Sequence, residues 1–187
     1  MIGAFMDNFE DKAAQAEKIK GIILASKKDP AAFYPLYLEY VDNVYYYVLS
    51  RIPSHQDAED ITAEVFTRAI NHLNRYKEEG NFLAWLLTIA RNLTFDHYRN
   101  RDNHWLELSE LPLPNEEFEF EVEDRLLLKS KLKQLPPEQL EILVLRYNAR
   151  LTFLEISKFL GKKEDAVRKA HNKIIGSLRS QMEVLDD

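Results

Sequence analysis

Three carboxylates, Asp57, Asp60 and Glu64, are the first residues in this chain whose types and spacing could do chemistry. At 100° per residue they fall within about 60° of one another on a helix. Paired carboxylates can hold a metal ion or share acid and base roles, but both uses need further groups. The histidines His55, His72, His97, His104 and His171 are scattered without ligand spacing. Carboxylates at i, i+3 and i+7 on one exposed face also offer no cleft to a substrate. No nucleophile–base pair and no glycine-rich phosphate loop is visible. Catalytic residues, metal ligands and cofactors are therefore not expected, and the chain is read as a non-enzyme. The stripe is either a solvated face or a docking surface for a basic partner.

Two other groups suit nucleic acid. Over residues 82–101, Phe82, Trp85, Leu86, Ile89, Ala90 and Leu93 share one face, while Arg91, Thr94, Phe95, Tyr98 and Arg99 share the other, with Arg101 just beyond. Rings stack on bases and guanidinium groups follow phosphates, a combination fitted to single-stranded DNA. Packing against the Tyr-rich stretch 31–51 accounts equally for Phe95 and Tyr98. Near the C-terminus, Arg168, Lys169, Asn172 and Lys173 lie opposite an apolar face of Val167, Ala170, Ile174 and Leu178. Such donors can grip phosphates and read base edges in the major groove.

The elements that position these groups are helical throughout. Residues 2–23 carry apolar side chains every three or four positions: Ile2, Phe5, Met6, Phe9, Ala13, Ala16, Ile19 and Ile23. Asp29-Pro30 starts a new helix over 31–51, which Pro53-Ser54 breaks, with Ser54 placed to cap the next one. Helical patterns at 55–76 and 82–101 flank a charged turn at 77–81. Leu135-Pro136-Pro137-Glu138 marks another start, and helices are expected at 138–147, 152–160 and 164–181. In the last pair Phe153, Ile156 and Leu160 face inward and Gly161 stands where a left-handed backbone ends a helix. Two short helices about such a turn outline a helix-turn-helix.

Composition narrows the class. The 187 residues carry a net charge of −6 and no cysteine. Disulfides and thiolate sites are thereby excluded, in keeping with a reducing compartment. No basic segment precedes an apolar core at the N-terminus, and no apolar run approaches the ~20 residues of a membrane span, so a cytoplasmic location without membrane insertion is expected. The net charge conceals an asymmetry. Residues 102–124 hold nine acidic and no basic side chains, whereas residues 125–182 hold 13 basic and five acidic ones. The basic block can attract phosphate. The acidic stretch, with Pro112 and Pro114, reads as a flexible linker, either a plain spacer or a segment that docks on a basic channel.

The segments Asp57-Ala-Glu-Asp-Ile-Thr-Ala-Glu-Val-Phe-Thr-Arg-Ala69 and Phe82-Leu-Ala-Trp-Leu-Leu-Thr-Ile-Ala-Arg-Asn-Leu-Thr-Phe-Asp-His-Tyr-Arg-Asn-Arg101 resemble region 2 of bacterial extracytoplasmic-function (ECF) sigma factors of the sigma-70 family. Leu135-Pro-Pro-Glu-Gln, Leu143-Val-Leu-Arg-Tyr147 and residues 151–179 are similar to their region 4. The resemblance covers about residues 30–101 and 125–180. It implies an all-α fold of two small helical domains, a region 2 bundle at 29–101 and a region 4 helix-turn-helix at 125–182. An N-terminal helical extension (1–28), the linker (102–124) and an acidic tail (183–187) complete the chain.

The roles the resemblance implies are specific. Asp57, Asp60 and Glu64 would dock on the clamp helices of the RNA polymerase largest subunit, and region 4 on the polymerase flap. Asn81, Arg91, Asn92, Thr94, Tyr98, Arg99 and Arg101 would open and hold the −10 promoter element. Arg168, Lys169, Asn172 and Lys173 would read the −35 element. An anti-sigma factor is a further expected partner. Ala170 and His171 depart from the basic residue and leucine often found there, and Glu164 and Asp165 bring negative charge to the start of the recognition helix. The rival expectation is a stand-alone helix-turn-helix regulator that binds duplex operators without polymerase.

Overall fold

A computed structural model of the chain describes residues 17–52, 54–77, 81–100 and 122–183. The expectations for residues 1–16, most of the acidic linker, the tip of the 77–81 turn, Arg101 and the tail beyond 183 lie outside the described residues. Among the described residues every regular element is helical.

Helix α1 covers 17–26 and buries Ile23. Asp29 then accepts a hydrogen bond from the Ala31 amide, at 3.0 Å, and opens a single 3-10 turn, Pro30–Phe33, that runs into α2, Tyr34–Leu49. Ser54 caps α3, His55–His72, by accepting from the Asp57 amide at 3.2 Å. The tighter turn Leu73–Arg75 ends the pattern expected to run to 76, and α4 follows as Phe82–Asn100. A cage of rings joins these helices. Phe33 meets Phe66 and Phe82 edge-on at 6.4 and 6.3 Å, and Tyr76 meets Phe82 at 5.2 Å. Edge-to-face geometry sets the positive rim of one ring against the negative face of the next.

The second group begins with α5, Val122–Lys133, three residues earlier than expected. Glu123 and Asp124, counted with the acidic linker, fall in its first turn. Pro137 occupies the first position of α6, Pro137–Leu143, where its missing N–H costs nothing. A wide turn, Val144–Asn148, follows, in which the Ala149 amide reaches back five residues to the Val144 carbonyl. Helix α7, Phe153–Leu160, opens with a reciprocal cap. Thr152 Oγ1 accepts from the Glu155 amide, and Glu155 Oε2 accepts from the Thr152 amide at 2.7 Å. Gly161, at φ 64°, ends α7 as expected, and α8 runs Glu164–Glu183.

The apolar core is one connected cluster that spans both groups. The two lobes also meet through named contacts: Phe159 of α7 sits edge-on to Tyr47 of α2, and Asn43 donates to the Asn148 carbonyl at 2.9 Å.

Candidate nucleic-acid interface

Helix α8 is set by Val167, Ile174 and Leu178, all buried, which turn the opposite face outward. Arg168, Lys169, Asn172 and Lys173 are all exposed there, as the wheel predicts. Arg168 is also held in place. Its Nη2 donates to Glu164 Oε1 at 2.6 Å, and its guanidinium lies 5.0 Å from the centre of the Phe153 ring. Glu164 thus orients the arginine as well as adding negative charge. His171 is half-buried between α7 and the wide turn, with Tyr147 Oη 3.1 Å from its Nε2 and the Phe153 ring 5.1 Å away. The exposed side chains form a cationic ridge one helix wide, a shape that can enter a major groove.

On α4 the structure divides the expected set. Asn81, Arg91, Asn92 and Arg99 are exposed, and Phe95 presents its ring at 64% exposure. Thr94 is a correction. It is 3% exposed, and its hydroxyl donates to the Arg91 carbonyl at 2.8 Å, so no surface is left for a base. The cause is that α4 packs against both α2 and α3, which widens its buried face to include Leu83, Leu87 and Thr94 beside the expected Ala90. Tyr98 is half-buried, with its hydroxyl donating to the Arg51 carbonyl, and burial raises its pKa while Arg51 opposes the shift. Its role includes packing. Arg91 and Asn81 both point to the other lobe. Arg91 Nε lies 3.7 Å from Glu141 Oε1, and Asn81 Nδ2 donates to Glu155 Oε1 at 2.8 Å.

The carboxylate stripe is uneven. Asp60 is exposed, Glu64 accepts from Arg68 Nε at 2.7 Å one turn away, and Asp57 lies 3.8 Å from His97 Nε2 of α4. Asp57 therefore helps join α3 to α4, while Asp60 and Glu64 face outward. Among the described residues no group of three or more potential ligands could hold a metal ion, and no helix is long and apolar enough to cross a membrane.

Sequence reading missed the residues that join the lobes. Glu141 of α6 accepts from Tyr47 Oη at 3.1 Å and pairs with Arg51 Nη2 at 2.9 Å. The Arg51 guanidinium lies 3.7 Å over the Tyr47 ring. Burial drives the Tyr47 hydroxyl pKa far up, with Glu141 adding to the rise and Arg51 opposing it. Pattern along a single helix carries no sign of partners about ninety positions away.

Family models agree with this division. Sigma-70 region 2 matches residues 36–104 and Sigma-70, region 4 matches residues 132–180. An ECF RNA polymerase sigma factor of Streptomyces coelicolor, BldN, is 32% identical over 155 residues; the match covers 79% of this chain, which spans 59% of that relative's length. ShbA of Streptomyces griseus, another ECF sigma factor, is 32% identical over 148 residues, covering 72% of this chain and 78% of the relative. SigW of Bacillus subtilis is 26% identical, covering 87% of this chain and 95% of the relative. Among solved structures, CnrH in complex with the cytosolic domain of CnrY is similar in fold, with a TM-score of 0.64 at 22% identity, covering 90% of this chain and 98% of that one. Both regions are present in the right order on an all-helical frame, and the chain belongs to the sigma-70 family as an ECF-type RNA polymerase sigma factor, a protein that directs transcription initiation.

Proposed function

We propose that α4 holds the single-stranded −10 element and that α8 reads the −35 element in the major groove. Arg168, Lys169, Asn172 and Lys173 carry the second contact; Asn81, Arg91, Asn92, Arg99 and Arg101, with the half-buried Tyr98, carry the first. The observation that bears most weight is the α8 ridge, where four donors stand clear of a buried stripe, one of them already oriented by Glu164. Asp60 and Glu64, with Asp57 at the edge, form the docking face for a basic surface of the polymerase clamp, and region 4 meets the flap. Residues 29–101 act as the −10 and polymerase unit. The helices from α5 to residue 182 act as the −35 unit, and 102–121 as the acidic connection. The chain forms no bonds itself and works in the cytoplasm.

An anti-sigma partner belongs to the same reading. The similar CnrH fold was solved with the cytosolic domain of CnrY, and a RpoE fold from Bartonella quintana, at a TM-score of 0.64 and 19% identity, was solved with the anti-sigma factor NepR. Run-off transcription with bacterial core polymerase on a promoter library tests the proposal. Start sites that depend on this protein and share two upstream elements are the expected result. Duplex binding without polymerase and without such transcripts would favour the stand-alone regulator.

A further inference from the structure

We infer that Tyr147 and His171 form a hydrogen-bonded chain that fixes which end of the Asn172 amide leads into the groove, so that Asn172 donates to a keto base, guanine or thymine. The inference rests on the reading of α8 as the −35 helix and adds what one of its side chains selects. An asparagine amide carries a donor end and an acceptor end on one plane. Left free, it can turn either end to a base, and with both it pairs adenine. Asn172 is not left free. His171 Nδ1 lies 3.2 Å from its Oδ1, and Tyr147 Oη lies 3.1 Å from His171 Nε2. An amide oxygen can only accept, so the imidazole carries its proton on Nδ1 and donates it there. The neutral ring then keeps its lone pair on Nε2, where the tyrosine hydroxyl donates. With Oδ1 turned to the ring, the Nδ2 donors are the outward end of an exposed side chain.

Rings anchor this chain from three elements. The imidazole of α8 meets Phe153 of α7 at 67° with centroids 5.1 Å apart, and lies 5.8 Å from the Tyr147 ring of the wide turn. Phe153 also carries two guanidinium groups, Arg146 at 4.8 Å and Arg168 at 5.0 Å. Arg146 is in turn tied to the Leu151 carbonyl at 2.9 Å. A leucine in place of His171 could pack on the same rings but would leave the amide without direction. Every base pair presents one keto and one amino group in the major groove, and the two lie on opposite strands. A fixed donor takes the keto side, guanine O6 or thymine O4, and passes over adenine N6 and cytosine N4. Asn172 therefore senses which strand bears the keto base. Arg168 is oriented separately, by Glu164 at 2.6 Å, and serves as an internal control.

The test measures base preference across a −35 library by run-off transcription with holoenzyme assembled from the full chain. Asn172→Ala marks the position that Asn172 reads, as the one where preference flattens. Tyr147→Phe keeps the ring and loses only the hydroxyl, so the imidazole can carry its proton on Nε2 and turn an acceptor to Asn172. His171→Phe keeps a ring and removes both nitrogens. Both variants should lower the preference for one keto orientation at that position by roughly fivefold, the worth of one oriented hydrogen bond. Positions read by Arg168 should not change. At a thymine–adenine pair there, purine in place of adenine deletes N6 and leaves O4, and the parent should keep its promoter use. A loss with purine would mean that the amide accepts, and would overturn the inference. Unaltered preference in both variants would overturn the chain, and flattening at every position alike would return Tyr147 and His171 to packing. If Asn172→Ala alters no position the inference fails, and the reading of α8 fails with it only if Arg168→Ala is equally silent.

Discussion

Thr94 and Asn92 stand two positions apart on α4, and one is buried while the other meets solvent. Thr94 follows Leu87 by seven residues and Ala90 by four, so it continues a buried stripe. A threonine is tolerated there because its hydroxyl is satisfied by its own helix at the Arg91 carbonyl. The polar type suggested surface, and the spacing from Leu87 was the signal that outweighed it. Thr152 shows the opposite case, where type and position agree. Its hydroxyl oxygen accepts from the Glu155 amide at 3.2 Å, and the hydroxyl lies 2.8 Å from Glu155 Oε2. Thr152→Ala should lower stability by about 1 kcal/mol, while Thr152→Ser stays close to the parent. Urea denaturation midpoints will check this, and an alanine variant as stable as the parent would show that α7 is held by packing alone.

At the scale of elements, the helices and most of their stops were legible. Ser54, Pro137, Thr152 and Gly161 each act through local chemistry that spacing displays: a side-chain cap, a dispensable N–H, a reciprocal box and a left-handed residue. The exposed face of α8 was legible for the same reason, since Val167, Ile174 and Leu178 fix it by periodicity. The wide turn at Val144–Asn148 was not, because it rests on the Ala149 amide reaching back five residues to the Val144 carbonyl, which no single residue type announces. On this element scale, Arg168→Ala with Lys173→Ala should weaken use of the upstream element by about 1–3 kcal/mol for each base that is no longer read. The salt slope of binding should become shallower by about one unit for each phosphate that is no longer neutralised. Promoter use equal to the parent's would remove α8 from the interface. Asp60→Lys on α3, an exposed site, should weaken core polymerase binding with little change in melting temperature. Equal affinity in a direct binding assay would return the stripe to a solvated face.

For the whole molecule, the contact between lobes lay beyond sequence reading because Tyr47, Arg51 and Glu141 meet only after both helical groups have folded. That junction gives the protein a distinctive response to alkali. Tyr47 is 1% exposed, and its hydroxyl donates to a carboxylate, so a tyrosinate there would face both desolvation and a second negative charge. Its pKa is accordingly raised well above the ordinary 10.0, and that of Tyr40 is pushed up to about 12, chiefly by burial. Below pH 10 both folded and unfolded chains keep these protons, and stability does not depend on them. Above pH 10 the unfolded chain releases them first, so it binds fewer protons and stability falls as pH rises toward the folded values. The melting temperature should therefore be insensitive to these groups from pH 7 to 9 and drop beyond 10. Tyr47→Phe is less stable at neutral pH because its hydrogen bond to Glu141 is gone, yet its decline with alkali should be shallower, because one of the protons that resist release is absent. An identical alkaline slope in the parent and in Tyr47→Phe would mean that Tyr47 ionises freely, and that the two lobes do not hold it buried between them in solution.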